Sequence, residues 1–483
     1  MRHFGLLAVP LVVVTATTLA ACDGDNNPGP SVTATPGTGD AAADGGTPSP
    51  TPYPLPTLTP FPSNLAQQVE GIKELVARVR GLPAPTLDRE GILSAASVEQ
   101  HYLEALNSMA EEDALEAKAG NRVLQMLGLV PDGYSLEDMS SDYSGNIAGF
   151  YSIQEDAFVV VVGQTPDKLS LSQELTIAHE LTHAMQDDAF DLDEFHQRYK
   201  DHAQDSAGYT SYEEMTSCVD EGDATFTELK YAEALLGPDW RDRIRAESDG
   251  DQQRPRAELP PFLEDELSFD YSHCYKFIES VFEKGGWKAV NDLYQNPPAT
   301  QEQVLDFDKF LDGQLASRAA PPGLEDKLPG WQEGPGSGQF GEYDVGAYVR
   351  ALSSDDNFLG SLYGYFGGIG WGAGWLRSYS DPSDSDRALV QISLSFESDD
   401  DCNSFLKVFA PIAAGFGAPI DVPDIVNVFR DNGPSPISAG DTVSWSNGPT
   451  AGPVGFITVS SSQPGVDIFV ATDADTLSMV TPP

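Results

Sequence analysis

The chain has 483 residues and carries 75 acidic against 27 basic side chains, a formal net charge of −48. So anionic a surface repels nucleic-acid phosphates and acidic lipid headgroups, which excludes nucleic-acid binding and adsorption on an anionic bilayer. Hydrophobic residues make up 40% of the chain, and a folded portion of about 420 residues is large enough for one big α+β unit or two domains.

At the start, Arg2 and His3 precede an apolar run from Phe4 to Leu19, followed by Leu19-Ala20-Ala21-Cys22. The run is too short for a standard spanning helix. Its end resembles the bacterial lipoprotein cleavage box, which implies a signal over 1–22, lipid on Cys22 and a chain held to the outside of a bacterial membrane; a secretory signal cleaved without lipid is the plainer alternative. From Asp23 to Pro62 the composition turns to Pro, Thr, Gly, Asp and Ser, which predicts a disordered tether over 23–62.

Leu65 to Leu82 reads as an amphipathic helix and Ser97 to Leu127 as another. Ile147 to Ser152 and Ala157 to Val162 are rich in β-branched and aromatic residues around a polar Gln154 to Asp156 turn, and predict a hairpin. Such an edge can pair with an extended peptide, or serve as an ordinary structural hairpin.

The segment Thr176 to Asp188 then sets His179, Glu180 and His183 in an H-E-x-x-H arrangement. Ser170 and Gln173 form a capping box, and Leu171, Leu175, Ala178 and Met185 recur at helical spacing, so the motif lies on a helix. Residues four apart share one face, where two imidazoles can hold one zinc ion. Glu180 is then placed to take a proton from a water on that zinc, the chemistry of a zinc peptidase. A core helix that happens to carry two histidines is the bland alternative. Gln186 and Ala189 stand where a metzincin has its Gly and third His, so the third ligand comes from elsewhere: His3, His101, His196, His202, His273 or a downstream carboxylate. The acidic run Asp187, Asp188, Asp191, Asp193 and Glu194 follows the motif. Asp187 or Asp188 is a candidate to orient a ligand histidine, and the run could hold Ca2+ or be a solvated acidic loop.

Between Ser211 and Leu236 lies a second helix signal, opened by Ser211 with Glu214 and closed by Gly237 and Pro238. Its acidic residues include Glu213, Glu214, Asp220, Glu221 and Asp223. Glu221 stands out mid-helix among Val219, Gly222 and Ala224, and Gly222 admits close approach of another helix. Further on, Tyr271 and His273 are the candidates to stabilise an oxyanion.

The stretches IAGFYSIQEDAFVVVV, AHELTHAMQDDAFDL, VDEGDATF and Phe269 to Phe310 with its GGW and NPP resemble a group of largely uncharacterised bacterial zinc metallopeptidases. The resemblance covers most of the chain from about Leu65 onward. It implies a gluzincin-like enzyme with a zincin-like catalytic unit, Zn2+ on His179, His183 and Glu221, and a peptide or protein substrate. The chain departs from the group at Asp270, Cys274 and Asp306, which bear on the outer substrate site rather than on the metal.

The expected fold is therefore α+β: a metallopeptidase-like unit over 63–320 with the H-E-x-x-H helix and its upstream hairpin, and a C-terminal α+β subdomain over 342–483. Ala388 to Phe396 reads as an alternating strand and Thr442 to Val480 as a β-rich tail with turns at Asn447-Gly448 and Gln463 to Gly465. The glycine-rich Tyr363 to Trp375 lacks the residues of a phosphate loop, and suits a tightly packed helix pair or a wall facing substrate. Of the later cysteines, Cys218 and Cys274 flank the inferred site and are the expected disulfide, leaving Cys402 free. A non-catalytic binding or structural protein and a zinc hydrolase of non-peptide bonds are the competing functions; an intact Glu180 speaks against the first.

Overall fold

The computed structural model describes residues 54–480 except 110, 163–166, 206–209, 252–258, 318–322, 335–336, 353–367, 415–441, 447–453 and 460–463. The leader, Cys22 and most of the tether lie outside the described residues, as do His3, the His202 side chain and the turns at Asn447 and Gln463. The fold is mixed α+β with two sheets. The last stretch of the expected tether is not free chain: Thr59 bridges to Ile92 and Phe61 packs 6.1 Å from Phe158. Leu55, Leu58 and Phe61 are isolated apolar residues in a Pro- and Thr-rich context, and the two cores beside them take these side chains up.

Helix α1 (Ser63–Arg80) ends at Gly81, whose left-handed backbone returns its N–H to Ala77. Strand β1 (Arg89–Leu93) follows, then α2 (Ala95–Ser108) and α3 (Glu111–Leu127). The sequence predicts one helix here; the chain makes two. Val98 and Tyr102 of α2 join the core beneath the first sheet, whereas Val123 and Leu124 of α3 join the larger core beneath the second, and one straight helix cannot serve both. Helix α4 (Leu136–Asn146) leads into β2 (Gly149–Ser152) and β3 (Ala157–Val161), which pair antiparallel in the predicted hairpin; β1 lies parallel on the far side of β3, so β2 is an edge. β3 is buried on both faces. Its period of two sends Phe158 and Val160 to the core with α1, and Val159 and Val161 to the core with α2.

Helix α5 (Leu171–Phe190) carries the H-E-x-x-H motif and starts at the Ser170–Gln173 capping box, with both reciprocal bonds made. It is followed by α6 (Leu192–Asp205), α7 (Tyr212–Leu236) and α8 (Trp240–Asp251). The capping box expected at Ser211 does not form: the Ser211 hydroxyl turns to the Ala299 carbonyl, and Glu214 is taken by Gln301. Helix α9 (Pro261–Phe269) runs through a π-helical turn, Asp270–Cys274, into α10 (Tyr275–Leu293). α10 breaks at Gly286, whose φ of 62° and ψ of −163° suit only glycine. The next residue, Trp287, lies under the Arg80 guanidinium at 4.5 Å. Short helices α11 (Gln301–Leu305) and α12 (Phe307–Leu311) close this half of the chain.

The second sheet holds β4 (Gln332–Glu333), β5 (Gly338–Gln339), β6 (Trp371–Asp381), β7 (Asp384–Phe396), β8 (Thr442–Ser446), β9 (Val454–Val459) and β10 (Gly465–Ala471). The order is β4-β6-β7-β10-β9-β8, with β5 also on β6. Helix α13 (Glu342–Leu352) lies between β5 and β6, α14 (Asp399–Ala414) follows β7 and α15 (Ala474–Ser478) ends the described chain. The described end of the glycine-rich stretch is no helix pair: Trp371 opens β6 and its indole donates to the Phe340 carbonyl. The boundary placed between 320 and 342 does not separate one core from another, because Val123, Met139 and Phe262 pack with Val345, Ile392, Phe405 and Ile468 in one cluster. Among the described residues no helix is long and apolar enough to cross a membrane.

A fully buried ion pair ties the first half together. Arg80 Nε lies 2.7 Å from Asp223 Oδ1 and Nη2 lies 2.8 Å from Oδ2, while Asn291 and the Tyr294 hydroxyl complete the group. Removing one partner of such a pair strands a buried charge. Asp223→Ala is therefore expected to destabilise the protein by about 3–5 kcal/mol, read as a lowered midpoint in urea unfolding; a loss below about 1 kcal/mol would mean that Arg80 finds another counter-charge.

Candidate metal centre

His179 and His183 stand one turn apart on α5 and meet Glu221, carried by α7 packed alongside. His179 Nε2 is 3.0 Å from His183 Nε2 and 3.2 Å from Glu221 Oε2; His183 Nε2 is 3.5 Å from the same oxygen. All three are buried, and among the described residues they are the group whose ligand atoms converge closely enough to hold a metal ion. The remaining histidines stand elsewhere: His196 bonds Asp220, His101 lies on α2 beside Tyr102, and His273 packs against Phe269 and Tyr343.

The hydrogen bonds behind the imidazoles suit a cation. Gln186 Nε2 donates to the Asp220 carbonyl at 2.9 Å, which turns its Oε1 toward His183 Nδ1, also at 2.9 Å. An amide oxygen only accepts, so His183 carries a proton on Nδ1, and its Nε2 is the nitrogen turned toward Glu221. Behind His179, Glu228 Oε2 lies 3.5 Å from Nδ1. The expected orienting residues are thus replaced by Gln186 and Glu228. Asp187 accepts from the Tyr151 hydroxyl and Leu192 N–H, and Asp188 from Thr86 N–H. Asp191 accepts from Glu194 N–H. These carboxylates hold loop and helix ends in the β2 hairpin, the α1–β1 loop and α6, and among the described residues the run does not converge on a metal site.

Charge is balanced inside the group. Burial alone would raise the Glu221 pKa, but His183 and His179 pull it down to about 2. Burial would lower that of His179, yet Glu221, Glu228 and Glu180 outweigh it and push it up to about 10. Glu180 is fully buried, and burial is the main cause that raises its pKa to about 7. Its Oε2 accepts from Tyr151 N–H of edge strand β2 at 3.1 Å, and its Oε1 has no partner.

Tyr271 enters from the π-helical turn, 5.9 Å ring to ring from His179 and hydrogen-bonded to Glu221. The turn is fixed by the disulfide Cys218–Cys274, which joins α7 to the start of α10, and by Gly222, where a Cβ would lie 2.7 Å from the Cys274 carbonyl carbon. His273 points into the aromatic cluster, where burial lowers its pKa to about 4. Of the two oxyanion candidates, the structure brings Tyr271 to the group and not His273. Sequence reasoning missed Gln186 and Glu228; their i+3 spacing from His183 and i+7 spacing from Glu221 are the signals that place them on the site's side of each helix.

No family model, curated protein or solved structure matches the chain.

A metal ion must displace the proton that the group holds on His179 up to about pH 10. Metal affinity is expected to rise about tenfold per pH unit between about pH 7 and 9, with release of about one proton. Calorimetry in buffers of different ionisation enthalpy measures this, and a pH-independent affinity would contradict the assignment.

Proposed function

We propose that the chain is a zinc-dependent peptidase of gluzincin type, exported and held outside a bacterial membrane through lipid on Cys22. The observation that carries the reading is Glu180: a buried carboxylate with one oxygen fixed by the β2 edge and the other unpaired, beside two imidazoles and a carboxylate that converge. The donor set, two neutral-capable nitrogens and one oxygen, is that of a catalytic zinc site, which takes three protein ligands and keeps a position open.

Zinc bound by His179, His183 and Glu221 would lower the pKa of a water toward neutrality and polarise the carbonyl under attack. Glu180 accepts the proton from the attacking water and returns it to the leaving amine; a pKa raised to about 7 suits both steps. Tyr271 stays protonated, because burial and Glu221 hold its pKa well above the usual value, and it acts as hydrogen-bond donor to the developing oxyanion. An extended peptide added to the β2 edge would run beside Glu180. The Leu19 to Cys22 box and the tether composition support the anchored location.

Metal content and hydrolysis of a mixed peptide library test this together. Glu180→Gln is expected to keep one zinc per chain and lose at least about 1,000-fold in kcat/KM, whereas Glu221→Gln loses the metal. Tyr271→Phe is expected to lower kcat about 100-fold with KM little changed. Zinc without hydrolysis in the parent chain would move the function to binding or to a non-peptide bond; no zinc in the parent chain would end the reading.

A further inference from the structure

Tyr271 and the metal ligand Glu221 come from elements that meet along one seam, α7 against the π-helical turn. Cys218 stands three residues before Glu221 on α7, and Cys274 three residues after Tyr271 at the end of the turn, so their disulfide crosses that seam. Both cysteines are 0% exposed. Beside the bond Gly222 lets the backbones close in: a Cβ there would meet the Cys274 carbonyl oxygen at 2.8 Å and Ile278 Cγ1 at 2.9 Å. On its other side the turn rests on α13, where the ring of Tyr343 lies 4.6 Å from Phe269 and 5.3 Å from His273.

The two parts of the site depend on this bond unequally. The ligand group is held without it: Gln186 spans from His183 to the Asp220 carbonyl, Asp220 Oδ1 accepts from Glu221 N–H at 2.9 Å, and His179 lies against Glu228. All of these contacts lie within α7 or between α5 and α7. Tyr271 instead rides on five residues of π-helix, a rare form that carries one residue more than the α-helix around it. Returning the turn to α-helical register would rotate Tyr271 by one residue's step, about 100°, and carry its ring away from Glu221. Packed rings and a bare glycine can slide past one another during such a shift. A covalent bond from the end of the turn to α7 cannot.

Resting on the peptidase reading above, we propose that Cys218 and Cys274 are positioning residues for Tyr271: the chain holds its metal without their disulfide, but gains its oxyanion donor once the bond has formed. In forming it, one cysteine thiolate attacks the disulfide of a thiol–disulfide oxidoreductase and the other displaces the mixed disulfide. The pair gives up two electrons and two protons, and the donor leaves as a dithiol. Both sulfurs are enclosed in the finished fold, so the exchange precedes the closing of the turn on α7, and the bond is then out of reach of reductants. The device therefore runs one way: a chain in a reducing compartment stays slow at hydrolysis, and a chain that has met an oxidising one is fixed in its active arrangement.

The full chain is compared with its Cys218→Ala, Cys274→Ala double variant, and the parent is also refolded either in a phosphine reductant or in a glutathione redox pair before loading with cobalt. Cobalt bound per chain, read from its absorption spectrum, is expected to stay the same in all of them. Hydrogen exchange in peptides covering residues 266–275 is expected to rise at least about tenfold without the bond and to stay unchanged over α5. On a peptide library kcat falls about 100-fold with KM little changed, as for Tyr271→Phe, and adding Tyr271→Phe to the double variant costs less than about threefold more. A bond that merely stabilised the fold would leave those two losses to multiply. The proposal is overturned by a bond-free protein whose kcat stays within about threefold of the parent, or by loss of metal together with activity. If the parent holds cobalt and cleaves nothing, the peptidase reading falls; the exchange at 266–275 then decides by itself whether the disulfide seats the turn.

Discussion

The burial of acid on α7 governs this structure. Asp220, Glu221, Asp223 and Glu228 all lie inside the protein, from 0% to 7% exposed. Each would be prohibitively costly if left alone. Three elements meet them: His196 of α6 on Asp220, Arg80 of α1 on Asp223, and the histidines of α5 on Glu221 and, through the far nitrogen of His179, on Glu228. The packing of α1, α5 and α6 around α7 is therefore also a charge-matching arrangement, and shifting any one helix would strand a carboxylate. Two of these contacts fall on His179: Glu221 lies 3.2 Å from its Nε2 and Glu228 3.5 Å from its Nδ1.

Such a site is held from behind as firmly as from the front. Gln186 is fixed by a backbone carbonyl of α7, and through it the tautomer of His183 is fixed. The π-helical turn adds a residue to the helix and so turns Tyr271 toward Glu221 and His273 away from it. A disulfide and the bare Cα of Gly222 press that turn against α7. Groups locked in this way lose little entropy on binding a cation or substrate, which is the physical meaning of a preorganised site.

The sequence exposes the features of this arrangement that are local. His179, Glu180 and His183 share a helical face by spacing alone, and Ser170 with Gln173 caps that helix through neighbours three apart. Glu221 is legible because a charge among small and apolar residues in a long helix has to be buried for a reason. The failures are tertiary. Ser211 makes an equally good cap in sequence, but the Ala299 carbonyl, 88 residues away, takes its hydroxyl. Asp187 and Asp188 are close to His183 in sequence, yet the β2 hairpin and the α1–β1 loop claim them. Tyr271 and His273 cannot be told apart by a rule of 3.6 residues per turn when the turn between them is not α-helical.

The C-terminal sheet acquires its place from the same logic. Its core is not its own: α3, α4 and α9 contribute to it, and α13 lies across the join. Because α9 runs directly into the π-helical turn, whatever seats α9 on the sheet also sets the position of Tyr271. α13 reinforces this from the other side. Its Tyr343 packs at a tilt against Phe269 and donates to the Asp265 carbonyl, and its Asp344 shares Gln301 with Glu214 of α7. The second half of the chain thus brings polar and aromatic groups to within one helix of His179, His183 and Glu221. A separate domain joined by a linker could not hold them there, because relative motion of a few ångströms would break the shared amide of Gln301 and expose the carboxylates it keeps together.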